Sequence, residues 1–228
     1  MPRIATKERA GTIADAALQA FSQSGYRRTQ VSDIAKIAGV APGTIYLYVA
    51  GKEALFVIAL QRALREPIDG NPATQAELLD AVRARFTPMS LGNRLRRAIA
   101  VGSELPTLED VVTELWAGVA YLSPAIRLIE KCAQDWPELA ELFFGEIRQG
   151  LVETLGAYLR RGAELGFIRP VPDPELAGRL MIETVAWFAM HRFGDMQGRF
   201  YDPVAAEATV RDALVHAYGL PTSQGANP

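Results

Sequence analysis

"IAKIAGVAPGTIYLYVAGKEAL", Ile34 to Leu55, reads as two short helices hinged on Gly39, with a further helix opening after Gly51. Gly39 stands where a helix end commonly needs positive φ. Pro42 suits the first turn of the next helix, because its missing N–H is not required there. A helix-turn-helix needs a small residue at the crossing, a turn glycine and apolar residues that lock the angle. Ala35, Gly39 and the set Ile34, Val40 and Ile45 fill those places. The second helix then keeps an outward face of Pro42, Gly43, Thr44, Tyr46 and Tyr48. Gly43 permits close backbone approach, and Thr44 can bond a base edge or phosphate and touch a thymine methyl. The tyrosine hydroxyls can donate to phosphates. A helical hairpin with two packing tyrosines could show the same spacing, so spacing alone leaves DNA recognition and plain packing both open.

The whole chain has a formal charge of -2 and a pI near 5.8, an unexpected balance for a polyanion binder. The charge is unevenly placed. Residues 1–65 hold nine Lys/Arg against four Asp/Glu, or +5, and the remainder holds fifteen against twenty-two, or -7. A compact positive block can attract phosphates while the acidic remainder faces away.

The 228 residues, 49% hydrophobic and 22% charged, suit a folded chain of one large or two modest domains. Cys132 is the single cysteine, which excludes an intrachain disulfide and any zinc site of paired cysteines. The charged N-terminus does not resemble a secretory signal, and Leu180–Met190 is short and interrupted by Glu183. These features predict a soluble, cytoplasmic protein without a membrane span.

Helical period dominates throughout, and strand-like alternation is absent. The expected fold is all-α. A first helix over Thr6–Ser24 presents Ala10, Ile13, Ala14, Ala17, Ala20 and Phe21 inward and stops at Gly25. Thr29 is the expected N-cap of the second helix, the third runs to about Val49, and a fourth turns Leu55, Phe56, Ala59, Leu60 and Ala63 inward. Pro67, Gly70 and Pro72 mark a junction. Beyond it, helices are expected near 74–86, 91–102, 107–121, 124–134, 137–165, 174–194 and 203–218, with Pro88, Pro106, Pro124, Pro137, Pro170 through Pro174 and Pro203 as punctuation. The expected domains are 1–65, a helix-turn-helix DNA-binding domain, and 66–220, a helical effector-binding and dimerisation domain, followed by a flexible tail over 221–228.

Residues 10–55 resemble the DNA-binding domain of the TetR family of bacterial transcriptional regulators. The resemblance runs through Ile13–Phe21, Gly25-Tyr26, Thr29, Asp33-Ile34-Ala35, Ala38-Gly39-Val40, Gly43-Thr44-Ile45-Tyr46 and Lys52-Glu53-Ala54-Leu55. Two departures stand out: Ala41 replaces the usual Ser or Thr before the third helix, and Val49 replaces the usual aromatic. The resemblance implies that Thr29 and the start of the second helix hold a phosphate. It places Ser32, Pro42, Gly43, Thr44 and Tyr46 on or near base edges, and Tyr48 and Lys52 on the flanking backbone. Lys7 and Arg9 are candidates for further phosphate contacts. Arg27, Arg28 and Lys36 read as solvated side chains.

One short recognition helix reaches three or four base pairs, too few for specificity in a genome. A homodimer on a near-palindromic double-stranded DNA operator is therefore expected. Its surfaces are expected on the last two helices, through Leu176, Leu180, Val185, Phe188 and Ala189, and Val204, Ala208, Val210, Ala213, Leu214 and Ala217. The larger part is expected to sense a small-molecule effector, by family resemblance an apolar or aromatic one. Candidate ligand-binding residues are Trp116, Tyr121, Trp136, Phe144, Glu183, Trp187 and His191, each of which could equally be a core or interface residue. No cofactor or metal is expected. Enzymatic patterns are lacking: His191 and His216 have no ligand spacing, and there is no phosphate-cradling glycine loop or nucleophile elbow. The expected function is a ligand-responsive repressor. An activator with the same DNA-reading helices, or a helical adaptor using the hairpin for protein contacts, is the alternative.

Overall fold

The computed structural model describes residues 2–69, 72, 74–86, 91–101 and 104–220, without the side chains of 2–7, 91 and 199. The punctuation expected at Gly70 and Pro88, and the tail expected over 221–228, lie outside the described residues. The helices are α1 (Pro2–Ser24), α2 (Val31–Ile37), α3 (Pro42–Ile45), α4 (Lys52–Ala63), α5 (Gln75–Phe86), α6 (Leu91–Val101), α7 (Leu108–Ala133), α8 (Pro137–Ala140), α9 (Gln149–Glu164), α10 (Pro174–Ala189) and α11 (Pro203–Tyr218). A π-helical stretch over Glu141–Arg148 joins α8 to α9. The described residues contain no strand, only an isolated bridge between Ile168 and Gly219. The fold is all-α, as the periodicity predicts.

The chain divides into two compact units, one of Met1–Phe86 with Pro124–Ile147, the other of Thr87–Ser123 with Arg148–Pro228. In the first, α1 buries Ile13, Ala14, Ala17, Ala20 and Phe21, and α4 buries Leu55, Phe56, Ala59 and Leu60. Small alanines on α1 let the two helices approach closely. Arg62 grips Asp15 through two bonds of 2.6 and 2.9 Å, but the pair is half exposed and contributes little. Trp136 lies among Phe21, Tyr26 and Phe56 in the same unit, and α5 adds Leu78, Val82 and Phe86.

The second unit has its own core. Val111, Val112, Leu115 and Trp116 of α7, Val152, Leu155, Tyr158 and Leu159 of α9, Met181, Ile182 and Val185 of α10, and Val210 and Leu214 of α11 are all buried in it. Gly178 brings α10 against α9, since a Cβ there would stand 2.9 Å from the Leu155 Cβ.

Three expected boundaries are corrected. The break expected at Pro124 does not occur, and α7 runs through it. Pro124 lacks the N–H that would reach Ala120, at a cost of about 3 kcal/mol. Burial at helical spacing on both sides, through Val111, Val112, Leu115 and Trp116 and then Ala125, Leu128, Ile129 and Cys132, outweighs it. The helix expected over 174–194 ends at Ala189, because Met190 leaves helical backbone at φ -130. Two short 3-10 turns follow, and the Asp195 carboxylate accepts from the N–H groups of Gln197 and Gly198 at 2.6 and 2.9 Å. Finally, the third helix ends at Ile45 rather than near Val49, and the chain continues in turns closed by Leu47 N–H to Thr44 O and Tyr48 N–H to Ile45 O.

Candidate nucleic-acid interface

The turn between α2 and α3 is fixed by main-chain geometry. Gly39 has φ +66, its N–H donates to Lys36 O at 3.3 Å, and Val40 N–H donates to Ala35 O at 3.0 Å. This is the Schellman arrangement, and it needs a left-handed residue at Gly39. Below it, Ile34, Ala35, Ala38 and Ile45 are buried, so the crossing is locked by the residues the sequence indicates. Pro42 occupies the first turn of α3, and Ala41 caps it without a side-chain hydrogen bond.

At the start of α2 the cap differs from expectation. Gln30, not Thr29, is the N-cap, and its N–H donates to the Asp33 carboxylate at 2.9 Å. Thr29 is only 2% exposed, and its hydroxyl donates to Gly25 O at 2.7 Å and lies 3.3 Å from Ala20 O. It braces the end of α1 against the start of α2, so its side chain is committed inward. Ser32 is exposed beside Gln30.

Ile45 and Val49 anchor the recognition segment by burial, which turns the intervening face outward. Pro42, Gly43 and Tyr46 are exposed, while Thr44 and Tyr48 are half-buried. A Cβ at Gly43 would meet nothing within 4 Å, so the backbone there is open to an approaching surface. Tyr46 is 57% exposed and Leu47 80% exposed. Leu47 was not among the expected contacts; its place four residues after Gly43, on one helical face, was the available signal.

Lys52 is placed less openly. Its ammonium donates to Arg27 O at 3.2 Å and lies 4.6 Å from the centre of the Tyr26 ring. Burial lowers its pKa, opposed by the negative charges of Asp135 and Glu53. Arg28 reaches back to Ser24 O at 3.0 Å, and Lys36 is exposed. The side chain of Lys7 lies outside the described residues.

The ligand candidates do not gather in one place. Trp136 and Phe144 belong to the first unit and Trp116, Tyr121, Glu183, Trp187 and His191 to the second. Trp136 is buried against Tyr26, with ring centroids 4.1 Å apart, and Trp116 is part of the second core. Glu183 is held by Arg148 and Arg179, each at 2.8 Å. Trp187 packs edge-on against Phe188, and Phe144 against Phe143. A separate cleft of about 690 Å³ in the second unit is lined by Ile99, Leu105, Leu108, Phe167, Val215 and Leu220, among others, and by none of those candidates. Among the described residues no helix is long and apolar enough to cross a membrane, and no three His, Cys, Asp or Glu residues group as a metal site.

A glycine-turned helix pair that presents a tyrosine-bearing short helix on a positive block is the architecture of a helix-turn-helix DNA-binding regulator. The comparisons agree. Residues 13–58 match the model of bacterial regulatory proteins of the tetR family. The fatty acid metabolism regulator protein of Bacillus subtilis is 28% identical over 207 residues, covering 89% of this chain and 92% of that one. The crystal structure of the transcriptional regulator FadR from Bacillus subtilis, in complex with stearoyl-CoA, aligns at 26% identity and a TM-score of 0.52, over 90% of this chain and 96% of that one. The regulator RutR of Escherichia coli is 38% identical over 140 residues, 60% of this chain and 61% of that one. The chain is thus similar to tetR-family regulatory proteins over residues 13–58 and to transcriptional regulators over most of its length.

Proposed function

We propose that the chain is a homodimeric repressor that binds a near-palindromic operator through α2 and α3 and leaves it when a fatty-acyl effector binds the helical remainder. The observation that carries the DNA contact is the exposure of Gly43, Tyr46 and Leu47 around the buried anchors Ile45 and Val49. In this reading Ser32, Pro42, Gly43, Thr44 and Tyr46 face bases, and Tyr48 and Lys7 face phosphates. Thr29 acts through the backbone it braces, and Lys52 reaches a phosphate only by leaving Arg27 O. Residues 1–65 bind DNA and residues 66–220 sense and dimerise.

Dimerisation is supported by α10, where Leu176, Leu180 and Trp187 form an exposed stripe opposite the buried Met181, Val185 and Ala189. On α11, Val204, Ala208, Ala213 and Ala217 are exposed, whereas Val210 and Leu214 belong to the core. The fatty-acyl class rests on the FadR likeness, and the apolar cleft of about 690 Å³ has the size of a small-molecule site. The test is operator binding by the purified chain with and without stearoyl-CoA. Release at micromolar acyl-CoA, and none with free CoA, is expected; equal binding in all three conditions contradicts the effector class.

A further inference from the structure

The C-terminal end of α7 lies far along the chain from the helix-turn-helix, yet within the first unit it holds the connection between α1 and α2. Arg27 N–H donates to Asp135 Oδ2 at 3.2 Å. Gly25, at φ +80, packs so closely that a Cβ would stand 2.9 Å from the same oxygen. Cys132 Sγ lies 3.8 Å from Phe21 O, and Trp136 stacks on Tyr26. From the other side, Lys52 of α4 donates to Arg27 O. The two main-chain groups of Arg27 are thus held by two separate parts of the chain, the N–H by Asp135 just after α7 and the carbonyl by Lys52 of α4.

Asp135 is not well placed for its own sake. Its Oδ1 is buried without a hydrogen-bond partner. Such an atom costs stability and calls for an explanation other than stability. The explanation lies in what the carboxylate holds. Asp135 follows two residues after the end of α7, whose last turns bury Leu128, Ile129 and Cys132 in the same unit.

We infer that Asp135 is a positioning residue for DNA recognition: it sets the α1–α2 connection, and through it α2 and α3. The inference rests on the operator-binding reading above.

The test uses the full-length chain and two variants. Without DNA, Asp135→Ala speeds hydrogen exchange of the amides from Arg27 to Val40 about tenfold, while those of Leu55 to Leu60 keep wild-type rates. Asp135→Asn, which keeps an acceptor for Arg27 N–H, stays within about threefold. With a duplex selected by the wild-type chain from a random library, Asp135→Ala binds about tenfold more weakly, while affinity for a scrambled duplex changes less than about twofold. The selected duplex slows exchange at Leu128 to Cys132 in the wild type and not in Asp135→Ala. Unchanged protection over 27–40, or equal loosening of α4, overturns the inference. Failure to select any duplex contradicts the operator-binding reading itself, and the exchange arm, which needs no DNA, still decides the placement.

Discussion

Trp136 stacks on Tyr26 with ring centroids 4.1 Å apart and 25° between the planes, joining residues 110 positions apart in sequence. Phe56 meets both edge-on at 5.9 and 5.7 Å, and the Tyr26 hydroxyl donates to Glu53 at 3.3 Å. Desolvation by burial, followed by the Glu53 charge, raises the tyrosine pKa. The cluster makes the connection between α7 and α8 part of the first unit's core.

Trp136→Ala should therefore act on stability. Truncating a buried Trp costs about 3–5 kcal/mol. Urea unfolding followed by far-UV circular dichroism measures it, and a loss below about 1 kcal/mol contradicts the cluster's role.

Helices α2 and α4 end in the same hydrogen-bonded motif with different residues at its left-handed position. Gly39 holds it at φ +66, whereas Arg65 holds it at φ 59, with its N–H on Arg62 O and Glu66 N–H on Gln61 O. Arg65→Gly should stabilise the chain by about 0.5–1 kcal/mol, and Gly39→Ala should destabilise it by about 1 kcal/mol, because a Cβ is disfavoured at this φ. Paired denaturation curves decide the matter; opposite signs are expected for the two variants.

Arg192 is 1% exposed, donates to Tyr201 O at 2.6 Å and lies 4.5 Å from the centre of the Phe193 ring, yet its Nε is buried without a partner. A buried cation so poorly answered contributes little net stability. Arg192→Met, which fills similar volume, is expected within about 1 kcal/mol of wild type, whereas Arg192→Ala leaves a cavity and loses about 2 kcal/mol or more. Thermal unfolding of both variants distinguishes them.

Burial, followed by the Asp135 charge, pushes the Cys132 thiol up from its ordinary 9.0 to about 12. The folded state therefore keeps a proton that the unfolded chain releases. The resulting stability is fully present below about 9 and is lost as pH rises towards about 12. Relative to Cys132→Ala, the wild type should lose up to about 1.4 kcal/mol per pH unit across that window. Urea titrations of both chains at pH 8 and 10 read the difference; parallel pH dependence contradicts it.

The helix-turn-helix was legible because its determinants are local: Gly39 sets a turn over five residues, and Ile34, Ala35 and Ile45 recur at helical spacing. The misplaced features depend on distance or on competition between nearby groups. Thr29 is the better cap by propensity, but its hydroxyl is drawn to Gly25 O, and the cap passes to Gln30 with Asp33. Pro124 signals a break that burial on both flanks overrides. Trp136 carries no local mark of its pairing with Tyr26, so it looked as available to a ligand as Trp116 or Trp187.

The most direct measurement is binding of the purified chain to its own upstream intergenic DNA across a salt series, alongside the double variant Thr44→Ala/Tyr46→Ala. The wild type should form a sequence-dependent complex that weakens steeply with salt, and the variant should lose the sequence preference while keeping the wild-type oligomeric state. Absence of a sequence-dependent complex at low micromolar protein (about 1–5 µM, within the range of nonspecific binding), or an unchanged preference in the double variant, would contradict the account.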